Sequence, residues 1–512
     1  MRNVIAKFIA VFTLCPVGCL LAQNCVPNTP VASLQGQRPL EINPNVPPGT
    51  CGFLQFAWQD FLALNWVPQP VNSVDSTSIA RGLPDKSKVV GQGGNNVPAV
   101  WEQFQPNWYL FWPNNPPPNA IAGNSFASWN QDAWLPAACG PLKGKLPPGS
   151  PPPHLLSSLS KFDAMPGVAQ ALAAPLIDQS GYYVRYEILI DYQTFNYVNS
   201  HQFYLLPNVQ GFAQSGQAFQ FPVQSGSMPG ATFIKAAWKI LSPAEINSHR
   251  YHTALAFLFT PAAQNIDSTC AGPVTVGLVG LHIVHKTQNF PEWLWATFEQ
   301  VDTTPNDPSA PGAVPPEGWA FFQPGSSTPK NRQPKCPDGV SPLTKCDFQP
   351  TSSHLGLAPN DKTGGPVQVA RQNTIPKSQN QPALSQINEA VHDALRALDP
   401  NNVWQYYQLV EAQWQSPAPP GGPCTTKTGF FPACNVANAT METYQQTNSC
   451  MSCHANLAFA PTKPPVKSDL TFELGLAWSP SILPASRITG VGLNAAPGTT
   501  SVKGASSKGN SK

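Results

Sequence analysis

Fifty-nine of the 512 residues are proline, about twice the usual ~5% share. The prolyl ring fixes φ and removes an N–H donor, so proline is kept out of helix interiors and central strands. Where prolines crowd, the chain must run as irregular connections, and regular structure has to lie in the intervals between them. The crowded stretches are residues 23–50, 67–180 (with Pro116–Pro118 and Pro147–Pro153), 303–382 (with Pro305–Pro316) and 417–420. The rest is not that of a disordered polymer: 41% of residues are hydrophobic and 14 are tryptophan, enough to bury a sizeable core. Charged residues make up only 11%, and Lys plus Arg exceed Asp plus Glu by two. That balance argues against a nucleic-acid binder, which carries a basic excess or stripe.

The proline-poor intervals carry clear periodicities. In Phe53–Trp66, Leu54, Trp58, Phe61, Leu62 and Asn65 recur at steps of three and four, a helix that Pro68 and Pro70 end. Ser385–Leu398 predicts a second helix, with Ile387, Val391, Ala394 and Leu398 on one face, Ser385 as cap, Pro400 as stop and His392 on the surface. Over 181–302 the period changes to two. Tyr182, Val184, Tyr186, Ile188 and Ile190 alternate with Arg185, Glu187 and Asp191. Phe203–Leu206, Thr232–Leu241, Tyr251–Thr260, Val274–Lys286, Trp293–Val301 and later Val403–Trp414 read as further strands. The polar strand residues Arg185, Glu187, Lys235 and Glu299 are expected on a solvent face, with a polar pocket as the alternative. Trp101, Trp108, Trp112, Trp129 and Trp134 are expected to pack loops onto the core.

The expected fold is therefore α+β, mainly antiparallel β as a sandwich or irregular barrel, with long Pro-rich loops. The expected organisation is an N-terminal arm, helix and loop-rich region at 23–180, an antiparallel β core at 181–302, loop, helix and strand at 303–420, a C-terminal segment at 421–496 and a disordered Gly/Ser/Lys-rich tail at 497–512.

Residues 1–22 read as a cleaved secretory signal. Arg2 and Lys7 precede an apolar run, Phe8 to Leu21, and Leu20-Leu21-Ala22 offers a cleavage site. Pro16-Val17-Gly18-Cys19 lacks the Leu of a lipoprotein signal, so lipoprotein anchoring is not expected. No later segment reaches the ~20 apolar residues of a membrane-spanning helix. The expected location is periplasmic or secreted. Cysteine usage agrees. Of 12 cysteines, Cys15 and Cys19 leave with the signal and two sit in the motif below. Eight remain, an even number in an oxidising compartment. Proximity pairs Cys25 with Cys51, Cys336 with Cys346 and Cys424 with Cys434, leaving Cys139 with Cys270.

The remaining two cysteines stand in Cys450-Met451-Ser452-Cys453-His454, the C-x-x-C-H pattern of c-type haem attachment. The spacing lets two thiols add to the two haem vinyl groups and sets the next residue, His454, under the iron as proximal ligand. At this composition a random match is expected roughly 0.005 times per chain. A thioredoxin-type redox pair would want a βαβ context, whereas an Asn- and Thr-rich segment precedes this one, and a zinc site would need further ligands. Asn438 or Thr440 as cap, early Glu442, then Met441, Tyr444 and Gln445 predict a helix leading to Cys450. One covalent haem c is the cofactor implied. Glu245, His249 and His252, spaced as a helical metal triad, fall where a strand begins and read as accidental.

Ala-Thr-Met-Glu-Thr-Tyr at 439–444 with Ser-Cys-Met-Ser-Cys-His at 449–454 resembles bacterial monohaem cytochrome c family proteins of about this length. Segments 56–66, 234–238, 280–287 and 293–299 share the likeness. The resemblance implies a haem protein and a whole-chain family, not a reaction, and carries over Cys450, Cys453 and His454 alone. Small cytochromes place a distal Met after the motif, but none of the 58 residues beyond His454 is Met or His. Upstream candidates are His285, preferred for its place at a strand end, His282, and Met228, which precedes a proline. The leading functional expectation is a single-electron carrier working with a redox partner protein or a small donor or acceptor. Alternatives are a peroxidase- or oxidase-like haem enzyme with an open sixth site and a haem-based sensor or binding protein.

Overall fold

The computed structural model describes residues 27, 29–42, 50–111, 125–133, 135–157, 176–260, 268–309, 311–333, 366–372, 375, 382–414, 425–426, 429–430, 436–447, 449–450, 454, 458–459 and 466–477. The expected signal segment, the C-terminal tail, Trp112 and Trp134 lie outside them. One curled sheet of eight strands organises the molecule: β1 (Gln105–Pro106), β2 (His154–Leu156), β3 (Arg185–Ile190), β4 (Thr232–Ile240), β5 (Thr253–Thr260), β6 (Thr269–His285), β7 (Leu294–Gln300) and β8 (Tyr407–Gln413). Its path runs β1-β3-β4-β6-β5-β2, and β7 joins β6 to β8. All its pairings are antiparallel except β2 with β5. The fold is thus α+β with mostly antiparallel strands. The sheet is not confined to 181–302, because β1, β2 and β8 come from the flanking regions.

Strand β6 is the axle. Its first half pairs with β5 and its second half, Gly280–His285, pairs with β7, while β4 runs along the other edge. Period-two alternation divides its residues between two faces. Leu281, Ile283 and His285, with Leu294, Ala296 and Phe298 opposite them, form the first face. Helix α1 (Thr50–Leu64) lies there: Phe61 stacks on Phe298 at 4.2 Å between ring centroids. Helix α2 (Pro382–Leu398) covers α1 from outside, burying Leu384, Ile387, Val391 and Leu395, and Asn388 accepts from Trp58 Nε1. Between sheet and α2, α1 has no solvent face. Even Gln55 and Asp60 are buried, which fits a helix apolar nearly all round.

Both helices fall in the expected intervals, but the second starts at Pro382, so Ser385 lies inside it and is not its cap. Phe203–Leu206 does not: it is a turn leading into the helix Leu206–Gln214. Val403–Tyr406 is a 3₁₀ turn ahead of β8. His392, expected on the surface, is half-buried and donates Nε2–H to the Tyr407 carbonyl. Trp101, Trp108 and Trp129 are buried as expected. Arg185, Glu187 and Glu299 are buried rather than solvent-facing. The physical reason is that the sheet is covered on both sides, so its polar positions are met by ion pairs and hydrogen bonds instead of water. Glu299, for example, is clamped by Arg371 Nη1 at 3.1 Å and Nη2 at 2.5 Å.

Cys139 and Cys270 form a disulfide, tying the 3₁₀ stretch Ala137–Lys145 to β6. Cys51 is also disulfide-bonded. Cys25, Cys336, Cys346, Cys424 and Cys434 lie outside the described residues. Among the described residues no helix is long and apolar enough to cross a membrane.

Candidate functional site

The second face of the sheet carries Phe233 and Lys235 on β4, Gly280, His282 and Val284 on β6, and Trp295, Thr297 and Glu299 on β7. Residues 436–447 lie across it. Asn438 Nδ2 donates to Thr297 Oγ1 and to the Phe298 carbonyl, both at 2.9 Å. The Ala439 amide donates to Glu299 Oε1 at 2.5 Å, and Tyr186 Oη donates to the Thr440 carbonyl at 2.8 Å. The approach is close enough that a Cβ on Gly280 would stand 2.2 Å from Thr440 Oγ1. A bare glycine on the strand is what lets this segment lie on the sheet.

The segment is not the expected helix. Asn438 Oδ1 accepts from both the Thr440 amide (2.9 Å) and hydroxyl (2.6 Å), which ties the chain into a local turn. Glu442 then reaches back to the Asn438 amide at 2.8 Å while its other oxygen meets His282 Nε2 at 3.2 Å. Turns follow to residue 447, and helical backbone occurs at Cys450 and His454.

His454 is half-buried against the same face. Its ring packs on Trp295 (4.5 Å between centroids) and edge-on to Phe472 (4.9 Å). Its Nδ1 lies 2.8 Å from the Leu470 carbonyl. A carbonyl only accepts, so Nδ1 carries the proton; in a neutral ring Nε2 is then the nitrogen able to act as a metal ligand. Asp469 and Leu470 both have left-handed φ values, 54° and 61°, a conformation side chains resist unless the surroundings impose it. Here they do. Asp469 is held by Lys286 Nζ at 2.5 Å and the Phe221 amide at 2.7 Å, and its carbonyl accepts from Trp293 Nε1 at 3.0 Å. These anchors aim the Leu470 carbonyl at His454. Glu473 follows Phe472 in the chain and is buried, with Asn107 Nδ2 at 3.2 and 3.4 Å from its two oxygens. Burial pushes its carboxyl up to about 7.

Cys450 is half-buried and a thiol, whereas Cys51, Cys139 and Cys270 are disulfide-bonded. Cys453 lies outside the described residues. The Cys450 thiol and the His454 imidazole are two of the three groups that a covalently held haem would require. Among the described residues no group of three or more His, Cys, Asp or Glu is arranged to hold a metal ion. Glu245, His249 and His252 are accordingly separate: Glu245 caps a short helix and binds Lys239, whereas His252 bonds Glu102.

The distal candidates separate by face. His285, the preferred one, points to the α1 side. Its Nδ1 sits 2.8 Å from Asp60 Oδ2 and 3.3 Å from Arg38 Nη2, so the sheet stands between it and His454. His282, three residues earlier, shares the His454 face. Met228 is half-buried in a turn closed by Ser225 and Met228. The buried clusters around Asp60 and Glu102 carried no local sequence signal; the alternation of β3 set Glu187 on an expected solvent face, with a polar pocket only as the alternative. No protein-family model, curated protein or solved structure matches the chain.

Proposed function

We propose that the chain is a monohaem c-type cytochrome, held covalently through Cys450 and Cys453 and ligated by His454, that passes single electrons to a redox partner. The observation that carries the reading is the meeting of the C-x-x-C-H pattern with the His454 Nδ1–Leu470 hydrogen bond, which presents Nε2 as a ligand. Haem c, when bound, would supply one reversible electron. The chain's own part is to set that electron's energy. The Leu470 carbonyl raises the basicity of His454, and Trp295 and Phe472 exclude water on its flanks. His282 is proposed as the sixth ligand, since it lies on the His454 face with Glu442 to orient it. The resemblance to bacterial monohaem cytochromes and a periplasmic or secreted setting belong to the same proposal; the Cys139–Cys270 disulfide supports that setting.

The test is expression in a host that attaches c-type haem, followed by spectra of oxidised and reduced protein. The expected result is a six-coordinate low-spin iron that cycles reversibly. A stable five-coordinate high-spin iron that turns over peroxide would replace electron transfer with the haem-enzyme alternative.

A further inference from the structure

The hairpin end that joins β6 to β7 brings two side chains onto one residue beyond the motif. Lys286, one residue past β6, sets Nζ 2.5 Å from Asp469 Oδ2. Trp293, one residue before β7, donates Nε1–H to the Asp469 carbonyl at 3.0 Å. The Phe221 amide adds a third hold, on Asp469 Oδ2 at 2.7 Å. Both hairpin residues are sealed from solvent, Lys286 at 3% exposure and Trp293 at 1%. The ammonium lies 5.2 Å from the centre of the Trp293 ring, which packs on Phe221 and Phe233. Lys286 is itself pinned. Its amide donates to the Ala231 carbonyl at 3.0 Å, and a Cβ on Gly230 would stand 1.9 Å from its carbonyl oxygen.

A buried ammonium–carboxylate pair is seldom needed for stability alone, since apolar side chains of the same volume often serve as well. The backbone that it holds is strained too. Asp469 tolerates a left-handed φ, but Leu470 at 61° adopts one against its side chain. The chain returns to this point by a short hairpin, Ala458–Phe459 paired with Val466–Lys467. Ser468 then closes the turn by donating Oγ–H to the Thr471 carbonyl at 2.8 Å. What the turn delivers is the Leu470 carbonyl, 2.8 Å from His454 Nδ1. Two unfavourable features, the sealed charge and the left-handed leucine, thus converge on the oxygen that takes the proton of the motif's histidine.

We propose that Lys286 and Trp293 are positioning residues for His454: acting through Asp469, they hold the Leu470 carbonyl on Nδ1 and so set the donor strength of the nitrogen offered to iron. The inference rests on the reading of His454 as a haem ligand and extends it by naming what tunes that ligand. An imidazole whose Nδ1–H is held by a carbonyl is the stronger base at Nε2 and favours oxidised iron. Freed from the carbonyl, the ring donates less and the oxidised state loses that support. Lys286 brings a charge as well as a hold, whereas Trp293 brings only the hydrogen bond. A substitution at Trp293 therefore separates positioning from electrostatics.

The test uses the full chain as purified, with its mass taken first to count haem. Isotope-labelled histidine and NMR of the reduced protein then read how fast the His454 Nδ1 proton exchanges with water. Exchange is expected to be roughly tenfold faster or more in Lys286→Met and in Trp293→Phe, as the turn opens more often. The midpoint potential is expected to rise in Trp293→Phe. Arg250→Met, which breaks a different buried pair, with Asp302 at 2.6 Å, is the control: it is expected to lower stability and to leave both exchange and potential unchanged. Unmoved exchange in either folded hairpin variant overturns the proposal, as does equal acceleration in Arg250→Met or a potential that does not rise in Trp293→Phe. If one hairpin variant fails to fold, the other decides alone. A chain without haem would sink the haem reading, while exchange measured on that same chain still decides whether Lys286 and Trp293 hold His454.

Discussion

Glu473 is the residue whose environment most directly touches the proposed redox role. Its folded carboxyl titrates at about 7 against an ordinary value of 4.5, so the folded chain holds a proton that the unfolded chain has lost. Stability is therefore expected to fall as pH rises from 4.5 to 7, by roughly 3 kcal/mol for this group, and to be flat above that window. Glu473→Gln is expected to remove the slope in urea titrations repeated across pH. Glu473 follows Phe472, whose ring packs on His454, so the same ionisation is expected to favour the oxidised form. The midpoint potential is expected to fall through pH 7 in the unaltered chain and to lose that dependence in Glu473→Gln. The two strand histidines give a second residue-scale outcome. His282→Ala is expected to change the low-spin spectrum. His285→Ala is expected to leave the spectrum alone and to lower stability by about 1–3 kcal/mol, because Asp60 loses a buried hydrogen bond. A spectral change with His285→Ala alone would move the sixth ligand to the other face.

Among the elements, the contact of residues 438–440 with β6 and β7 fixes the segment that precedes the motif. Gly280→Ala would force a Cβ into Thr440 Oγ1, and overpacking of this kind costs about 1–3 kcal/mol. Reduced stability together with poorer haem retention is expected, measured by denaturant midpoint and by the ratio of haem absorbance to protein. Normal haem retention would separate this docking from the site. Helices α1 and α2 were legible because an apolar stripe bounded by prolines has one reading. The 438–447 segment was not, since Asn438, Thr440 and Glu442 suit a helix start as well as they suit a turn. Their true partners, Thr297, Phe298, Glu299 and His282, lie about 140 residues or more away in the chain. Choosing between His285 and His282 was hard for a related reason. Alternation showed that His282 and His285 must face opposite ways, but which face receives the C-terminal segment is decided by Gly280 and Glu299, not by either histidine.

At the scale of the whole molecule, regions far apart in sequence share one sheet with both faces covered. That is why polar strand residues expected at solvent are buried in pairs such as Glu299–Arg371. The period-two pattern of a half-exposed strand and of a covered, ion-paired strand is the same, so this part of the fold could not be read locally. The Cys139–Cys270 bridge closes a separation of 131 residues, and in the chain-entropy account its loss costs about 5 kcal/mol. Cys139→Ser with Cys270→Ser is expected to lower the unfolding midpoint accordingly, and an unchanged midpoint would leave the bridge without a stabilising role. The central claim is the covalent cofactor, and the most direct measurement is the mass of the denatured chain purified from a host that attaches c-type haem. The expected result is the mature chain plus one haem, with the added mass lost in Cys450→Ala with Cys453→Ala. An unmodified chain mass from cells in which another c-type cytochrome is correctly loaded would contradict the claim.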